Sequence, residues 1–290
     1  MDLSRLGSVL LTRWGAATDV GPVRSSNEDS WLASPPLFAV ADGMGGHVGG
    51  ALASSTAVRT LESRLSADAL GGRRADLADL DAGVQAAASA VAGLSDPADP
   101  NAAPGTTLTG AIALDTEEGP FWLTFNIGDS RTYIVGGRSI RQVTRDHSAV
   151  QEARDIAEVT GQELAFPPSN VVTRALGAGM AALPQADYNL VPLFQGDYAV
   201  ICSDGVHGVL GDDQIHRIVD VGGEPQQIAN ELVDAAITFG TRDNTTAVVV
   251  HASRASRVGD DLNVHSRFIQ AVRPASTTTA RRVAIHQEED

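Results

Sequence analysis

Lysine is missing altogether: each of the 21 basic residues in this 290-residue chain is an arginine. That absence removes enzyme classes built on a primary amine, since a Walker A phosphate loop, a protein kinase and Schiff-base chemistry all depend on lysine. Cysteine is nearly missing too. The single thiol, Cys202, excludes an internal disulfide framework, and a free thiol suits a reducing, cytoplasmic setting. No apolar run approaches the length of a membrane span, and Arg13 interrupts the apolar stretch near the N-terminus, so neither membrane insertion nor a secretory signal is expected. Positive charge is in deficit, with 21 basic against 36 acidic residues and a formal net charge of −15. Such a chain repels polyanions, which argues against a nucleic-acid partner.

What is present suffices for a substantial core, with 43% hydrophobic residues. Apolar and β-branched runs predict strands over 37–41 (LFAVA), 106–114, 121–127, 131–135, 198–203 and 245–250. Helical periodicity predicts helices over 49–65, 76–94, 148–161 and 225–240, the last two closed by glycine. Residues 95–105 (SDPADPNAAPG) read as a loop, and Gly136–Gly137 as a hairpin turn. Beyond His251 the periodicity stops, so a domain over 1–251 followed by a flexible tail over 252–290 is expected. The pattern alone establishes only a mixture of strands and helices.

Aspartates stand just outside these β-rich runs: Asp29 in RSSNEDS, Asp42 in ADGMGG, Asp129 in NIGDSR, Asp204 in CSDG and Asp243 in RDNTT. Taken singly, an aspartate before glycine is an ordinary turn residue that bonds its own backbone. Carboxylates gathered at one sheet edge repel one another, and a divalent cation converts that repulsion into binding. No Cys/His cluster has zinc spacing, and an all-oxygen donor set suits Mg²⁺ or Mn²⁺.

In order along the chain, GPVRSSNEDS, FAVADGMGGHVGG, PGTTLTGAI, NIGDSRTY, VTRDHS, NVVTRALG, ICSDGV and RDNTTAVVV cover roughly residues 14–251. Together they resemble the metal-dependent Ser/Thr protein phosphatase family, type 2C, particularly its bacterial members. The resemblance implies an α+β fold of two packed, mainly antiparallel β-sheets flanked by helices on both sides, an α/β/β/α sandwich. It implies hydrolysis of phosphoserine and phosphothreonine in proteins with two Mn²⁺ or Mg²⁺ ions and a third, weaker one. By the same resemblance Asp42 bridges two ions, the Gly43 carbonyl serves the second, and Asp204 and Asp243 complete the first. Glu28 and Asp29 support the second ion through water, and Asp129 with Asp204 matches the third position. Arg24 matches the arginine that holds the substrate phosphate, where a planar guanidinium fits a dianion. Two-metal chemistry needs no covalent enzyme intermediate: water between cations about 4 Å apart becomes acidic enough to attack phosphorus in line. The expected partners are phosphorylated proteins and a Ser/Thr protein kinase, and the chain is expected to be a monomer.

Other residues invite other roles. Met44 stands where some relatives outside bacteria carry a histidine proposed as general acid, so the leaving-group proton must come from a metal-bound water or elsewhere, with His47 a candidate donor or else a packing and capping residue. Cys202 lacks the arginine six positions on that a cysteine phosphatase needs, because that position is Gly208. Ser130 and Ser203 lack the paired glycines of a nucleophile elbow. His147 reads as structural, with contact to the site left open, and Asn244 as orienting the Asp243 turn. Residues 150–169 correspond to the family's flap, beside the active-site edge, or to an ordinary connector. Thr277, Thr278 and Thr279, beside Arg281 and Arg282, offer a partner kinase a target. The alternatives are a phosphatase dedicated to one regulatory partner protein and a non-catalytic phosphoprotein-binding regulator, against which the retained Asp42, Asp204, Asp243 and Arg24 weigh.

Overall fold

The computed structural model describes residues 10–45, 49–66, 68–96, 103–116, 119–161, 167–168, 171–180, 182–255 and 270–274. In chain order these form β1 (Leu10–Asp19), β2 (Ser30–Ser34), β3 (Leu37–Ala41), β4 (Gly43–Met44), α1 (Gly49–Leu65), α2 (Leu77–Ala92), β5 (Gly105–Thr106), β6 (Leu108–Thr116), β7 (Gly119–Ile127), β8 (Arg131–Gly136), β9 (Ser139–Gln142) and α3 (Ala149–Thr160). There follow β10 (Leu176–Gly177), β11 (Asp187–Pro192), β12 (Tyr198–Cys202), α4 (Asp204–His207), α5 (Asp212–Asp220), α6 (Pro225–Thr238), β13 (Thr245–Ala255) and β14 (Gln270–Val272).

Two antiparallel sheets dominate, one ordered β1-β13-β12-β8-β9 and the other β14-β11-β7-β6-β3-β2. Because successive side chains on a strand point to opposite faces, each sheet buries apolar residues on both sides. Phe38, Val40, Ala111 and Trp122 from the second sheet meet Ile134, Ile201, Val248 and Val250 from the first in the layer between them. The alternate residues face outward. Ala39, Ile112, Leu123 and Phe125 pack against Ala53, Ala57 and Leu61 of α1 and Leu80 and Val84 of α2. Val200, Cys202, Ala247 and Val249 pack against Ile215 of α5 and Ile228 and Leu232 of α6. The expected α/β/β/α sandwich is therefore the fold, and β13, buried on both faces over Thr245–Val250, explains the unbroken TTAVVV run.

Local signals set the helix ends. Asp76 accepts from the Asp79 amide and Asp79 accepts from the Asp76 amide, each at 2.9 Å, a reciprocal cap on α2. Ser148 caps α3, and Gly161 closes it in a left-handed conformation. The β8–β9 turn falls one residue beyond the glycine pair, at Gly137 and Arg138, both with positive φ.

Several elements carry too short a pattern to read. β1 is interrupted by Arg13 and Gly15, β2 and β11 are brief, and α5 shows only the spacing of buried Ile215 and Val219. The boundary expected at 251 needs correction. β13 runs on to Ala255 opposite Leu10, and Gln270–Val272 pairs with Leu190–Tyr188, so part of the segment expected as a flexible tail belongs to the sheets. His47, Thr277–Thr279 and residues 162–166 and 169 of the expected flap lie outside the described residues. Among the described residues no helix is long and apolar enough to cross a membrane.

Leu61 is fully buried and sits against α2 where Gly83 leaves room for it. Leu61→Ala is expected to cost about 2 to 5 kcal/mol through the cavity it opens. Val159→Ala, on an α3 position 86% exposed, should stay within about 0.5 kcal/mol of wild type. Urea midpoints of the two variants check both.

Candidate functional site

Antiparallel order decides where the aspartates go. Asp42 leaves β3, Asp129 follows β7, Asp204 follows β12, and Asp29 and Asp243 precede β2 and β13, so strand ends and strand starts bring all five to one edge of the sandwich. Asp42, Asp129, Asp204 and Asp243 line a cavity of about 550 Å³ together with Glu28, Arg24 and Gly43. Asp29 lies behind this lining, where its Oδ2 accepts a hydrogen bond from Ser203 Oγ at 2.8 Å.

Each position is held by its backbone. The Asp42 amide donates to Thr107 Oγ1, and its carbonyl accepts from the Thr107 amide and from Thr106 Oγ1, all at 2.9 Å. Thr107 Oγ1 lies 2.8 Å from Ser130 Oγ, beside Asp129. Gly43 answers to a packing limit. A Cβ there would come within 2.3 Å of the Gly50 carbonyl oxygen and 2.5 Å of that of Glu28, so only glycine lets the chain pass between α1 and the Glu28 segment at the cavity wall.

Asn244 does more than orient its own turn. Its Nδ2 donates to the carbonyls of Val20 and Ser26 at 2.8 and 2.9 Å, and its Oδ1 accepts from the Glu28 amide at 2.8 Å. It thereby fastens the Asp243 turn to the segment bearing Arg24, Glu28 and Asp29. Arg24 Nη2 donates to Asp243 Oδ2 at 2.5 Å, so in this structure the guanidinium expected to face the substrate neutralises a carboxylate.

Burial is the first cause that lifts Asp29, Asp42, Asp129 and Asp204 above the ordinary carboxyl range, and neighbouring carboxylates add to it. Asp29 and Asp129 are each pushed up to about 7, the latter with Asp204 as its nearest charged cause. Asp42 is driven well up by burial and by Asp29, Asp204 and Asp129, and Asp204 is raised by burial and Asp243. Among the described residues, no three carboxylate, imidazole or thiol side chains close on a single point. The aspartates line a basin instead, and two of their buried oxygens, Asp29 Oδ1 and Asp204 Oδ1, have no hydrogen-bond partner. Unpaired buried carboxylate oxygens, raised carboxyls and an all-oxygen donor set fit hard divalent cations such as Mg²⁺ or Mn²⁺.

The other candidates separate from the site. Cys202 is buried and its thiol is pushed up to about 12, the opposite of an activated nucleophile. Ser203 is spent between Asp29 and the Thr246 amide. His147 is 2% exposed and bonds Gly128 and Asp187 rather than lining the cavity. Sequence reasoning did not single out Thr106, Thr107 or His207, whose Nε2 lies 3.0 Å from the Asp129 carbonyl oxygen. Burial drives His207 down to about 3, so the ring is neutral and donates there.

Residues 18–245 match the family profile described as Protein phosphatase 2C. The chain belongs to the protein phosphatase 2C family. It is 34% identical over 241 residues to the serine/threonine protein phosphatase PstP of Mycobacterium tuberculosis, covering 83% of this chain and 45% of that relative. It thus spans less than half of PstP. It is 30% identical over 240 residues to the serine/threonine phosphatase stp of Listeria monocytogenes, covering 80% of this chain and 93% of the relative. A crystal structure of the PstP catalytic domain in complex with two manganese ions aligns at a TM-score of 0.70 and 33% identity, over 84% of this chain and 99% of that one. The protein phosphatase 2C match takes in Arg24, Glu28 and all five aspartates.

The raised carboxyls make a signed prediction for the metal-free chain. A group whose folded value lies above its unfolded one binds a proton on folding, so its contribution is favourable below about pH 4 and is lost as pH climbs toward 7. Asp129→Asn removes one such group, at 8% exposure. In EDTA it should stabilise the chain by about 2 kcal/mol at pH 7.5 and by much less at pH 4.5. Thermal melts of wild type and variant at both pH values check this, and a pH-independent difference contradicts it.

Proposed function

We propose that this chain is a metal-dependent protein phosphatase that hydrolyses phosphoserine and phosphothreonine in proteins and so reverses the action of a Ser/Thr kinase. The observation that carries it is the meeting of Asp42, Asp129, Asp204 and Asp243 with Arg24 on one cavity, in a protein phosphatase 2C chain. Asp42, Asp204 and Asp243 are the residues that would hold two Mn²⁺ or Mg²⁺ ions, with the Gly43 carbonyl beside them, Glu28 and Asp29 in support through water, and Asp129 with Asp204 for a third. The PstP complex with two manganese ions supports the pair. When bound, the ions supply a water nucleophile that is acidic near neutral pH and positive charge for the phosphoryl oxygens.

The chain's own residues do the rest. Arg24 is 54% exposed on its side chain and reaches Asp243 from the cavity rim, so it can swing to a phosphate once Asp243 has another cationic partner. Thr106 and Thr107 fix the Asp42 backbone, so its carboxylate is aimed before anything binds. Met44 lines the cavity and has no proton to give, which leaves the departing seryl or threonyl oxygen to be protonated by another group. Substrate choice falls to the wall that Val171 and Val172 form at the return of the expected flap. The buried free thiol of Cys202 suits a cytoplasmic monomer that meets phosphorylated proteins and their kinase there.

Phosphate release from a phosphothreonine peptide with Mn²⁺, Mg²⁺ or EDTA tests the reading. EDTA should abolish release, and Asp204→Asn should lower kcat by about 100-fold or more. Arg24→Ala should act mainly on KM, by about 10- to 100-fold, as loss of a charge-assisted contact predicts. A folded, metal-loaded wild type that releases no phosphate from generic peptides overturns general activity and favours a single dedicated partner or a binding role.

A further inference from the structure

We propose that His147 is a positioning residue that locks the turn carrying Asp129 to the cavity wall at Val171–Arg174; the inference rests on the phosphatase reading for its kinetic and Mn²⁺-affinity consequences. The geometry starts at Gly128. This residue has φ +108°, and a Cβ there would lie 2.6 Å from Cβ of Thr107, so the turn is wedged against the threonine that anchors Asp42. Both backbone groups of Gly128 go to His147. The Gly128 amide donates to Nδ1 at 3.1 Å, and the Gly128 carbonyl accepts from the His147 amide at 2.9 Å. Asn126 Nδ2 donates to that same carbonyl at 3.0 Å.

Because Nδ1 accepts, the ring proton resides on Nε2, which donates to Asp187 Oδ2 at 3.0 Å. The second oxygen of that carboxylate accepts from Arg174 Nη1 at 3.0 Å. Arg174 ends the segment whose Val171 and Val172 line the cavity. The backbone repeats the connection: the Thr173 amide donates to the His147 carbonyl and the Ala149 amide to the Val171 carbonyl, each at 2.9 Å, and Ser148 bridges Val172. One imidazole, 2% exposed, thus reaches the Asp129 turn through Nδ1 and the wall through Nε2. The hydrogen bond from His147 is also the first reason that Asp187 is held down to about 2, which keeps this carboxylate charged for both partners.

The two ring nitrogens make separable predictions. His147→Asn keeps an acceptor within reach of the Gly128 amide and loses the arm to Asp187, whereas His147→Ala loses both and Asp187→Ala loses only the wall. Amide exchange at Gly128, measured by NMR on the metal-free full chain, should accelerate at least tenfold in His147→Ala and stay near wild type in the other two. Mn²⁺ affinity by calorimetry should fall about fivefold in His147→Ala alone. KM for a phosphothreonine peptide should rise severalfold in His147→Asn and Asp187→Ala with kcat close to wild type. Unchanged Gly128 exchange and Mn²⁺ affinity in a folded His147→Ala overturns the proposal, as does an equal loss of Mn²⁺ affinity in all three variants. If His147→Ala fails to fold, fast Gly128 exchange in Asp187→Ala, or an unmoved KM in both remaining variants, overturns it. A wild type inactive on the peptide removes the phosphatase reading and leaves the exchange measurement to decide this one.

Discussion

Crowded carboxylates at one edge of a double sheet are the constraint on which the rest of this structure depends. Burial and mutual repulsion push Asp29 and Asp129 to about 7 and raise Asp42 and Asp204 as well. Left to itself, such a group would open outward into water. It is prevented by backbone, because the peptide groups around Asp42 and Asp129 are tied to Thr106, Thr107, His147 and His207. The side chains stay free to bind because something else holds their positions.

The sandwich makes that division of labour natural. An antiparallel sheet places the end of one strand beside the start of its neighbour, so two sheets stacked face to face deliver several turns to a common edge. Thr245 and Thr246 of β13 and Cys202 of β12 lie deep in the first sheet, and Asp243 and Asp204 project just beyond them. Val40 and Ala41 do the same for Asp42 in the second. The apolar cores thereby fix the separations of groups that repel, and Arg24 offsets part of that repulsion through Asp243.

Much of this was legible in the sequence, and what was missed has two physical causes. Long buried strands such as 121–127 and helices such as 49–65 announce themselves because a whole face must be apolar. The aspartates announced themselves by standing where those runs stop. β1, β2, β11 and α5 were opaque because each buries only a few residues, and β14 because the contact that makes it a strand lies about 80 residues back in β11. The support around the site was opaque for a different reason. Thr107, His147 and His207 act through hydrogen bonds to backbone that their neighbours in sequence do not signal, and Asn244 reaches 224 positions back to Val20.

Charge also dictates an order of events at the cavity. Glu28, Asp42, Asp129, Asp204 and Asp243 face it against one guanidinium, Arg24, which is itself engaged by Asp243. A phosphate dianion approaching that surface, on a chain of net charge −15, meets like charge before it meets a donor. On the proposed phosphatase reading cations would therefore come first, and their arrival would change two things together. Asp29, Asp42, Asp129 and Asp204, whose charged forms burial disfavours, would gain a cationic partner, and Asp243 would no longer need Arg24. The same event would reverse the sign of the cavity and free Arg24, a guanidinium shaped to grip a phosphate, so that substrate recognition would follow metal binding as a consequence of electrostatics.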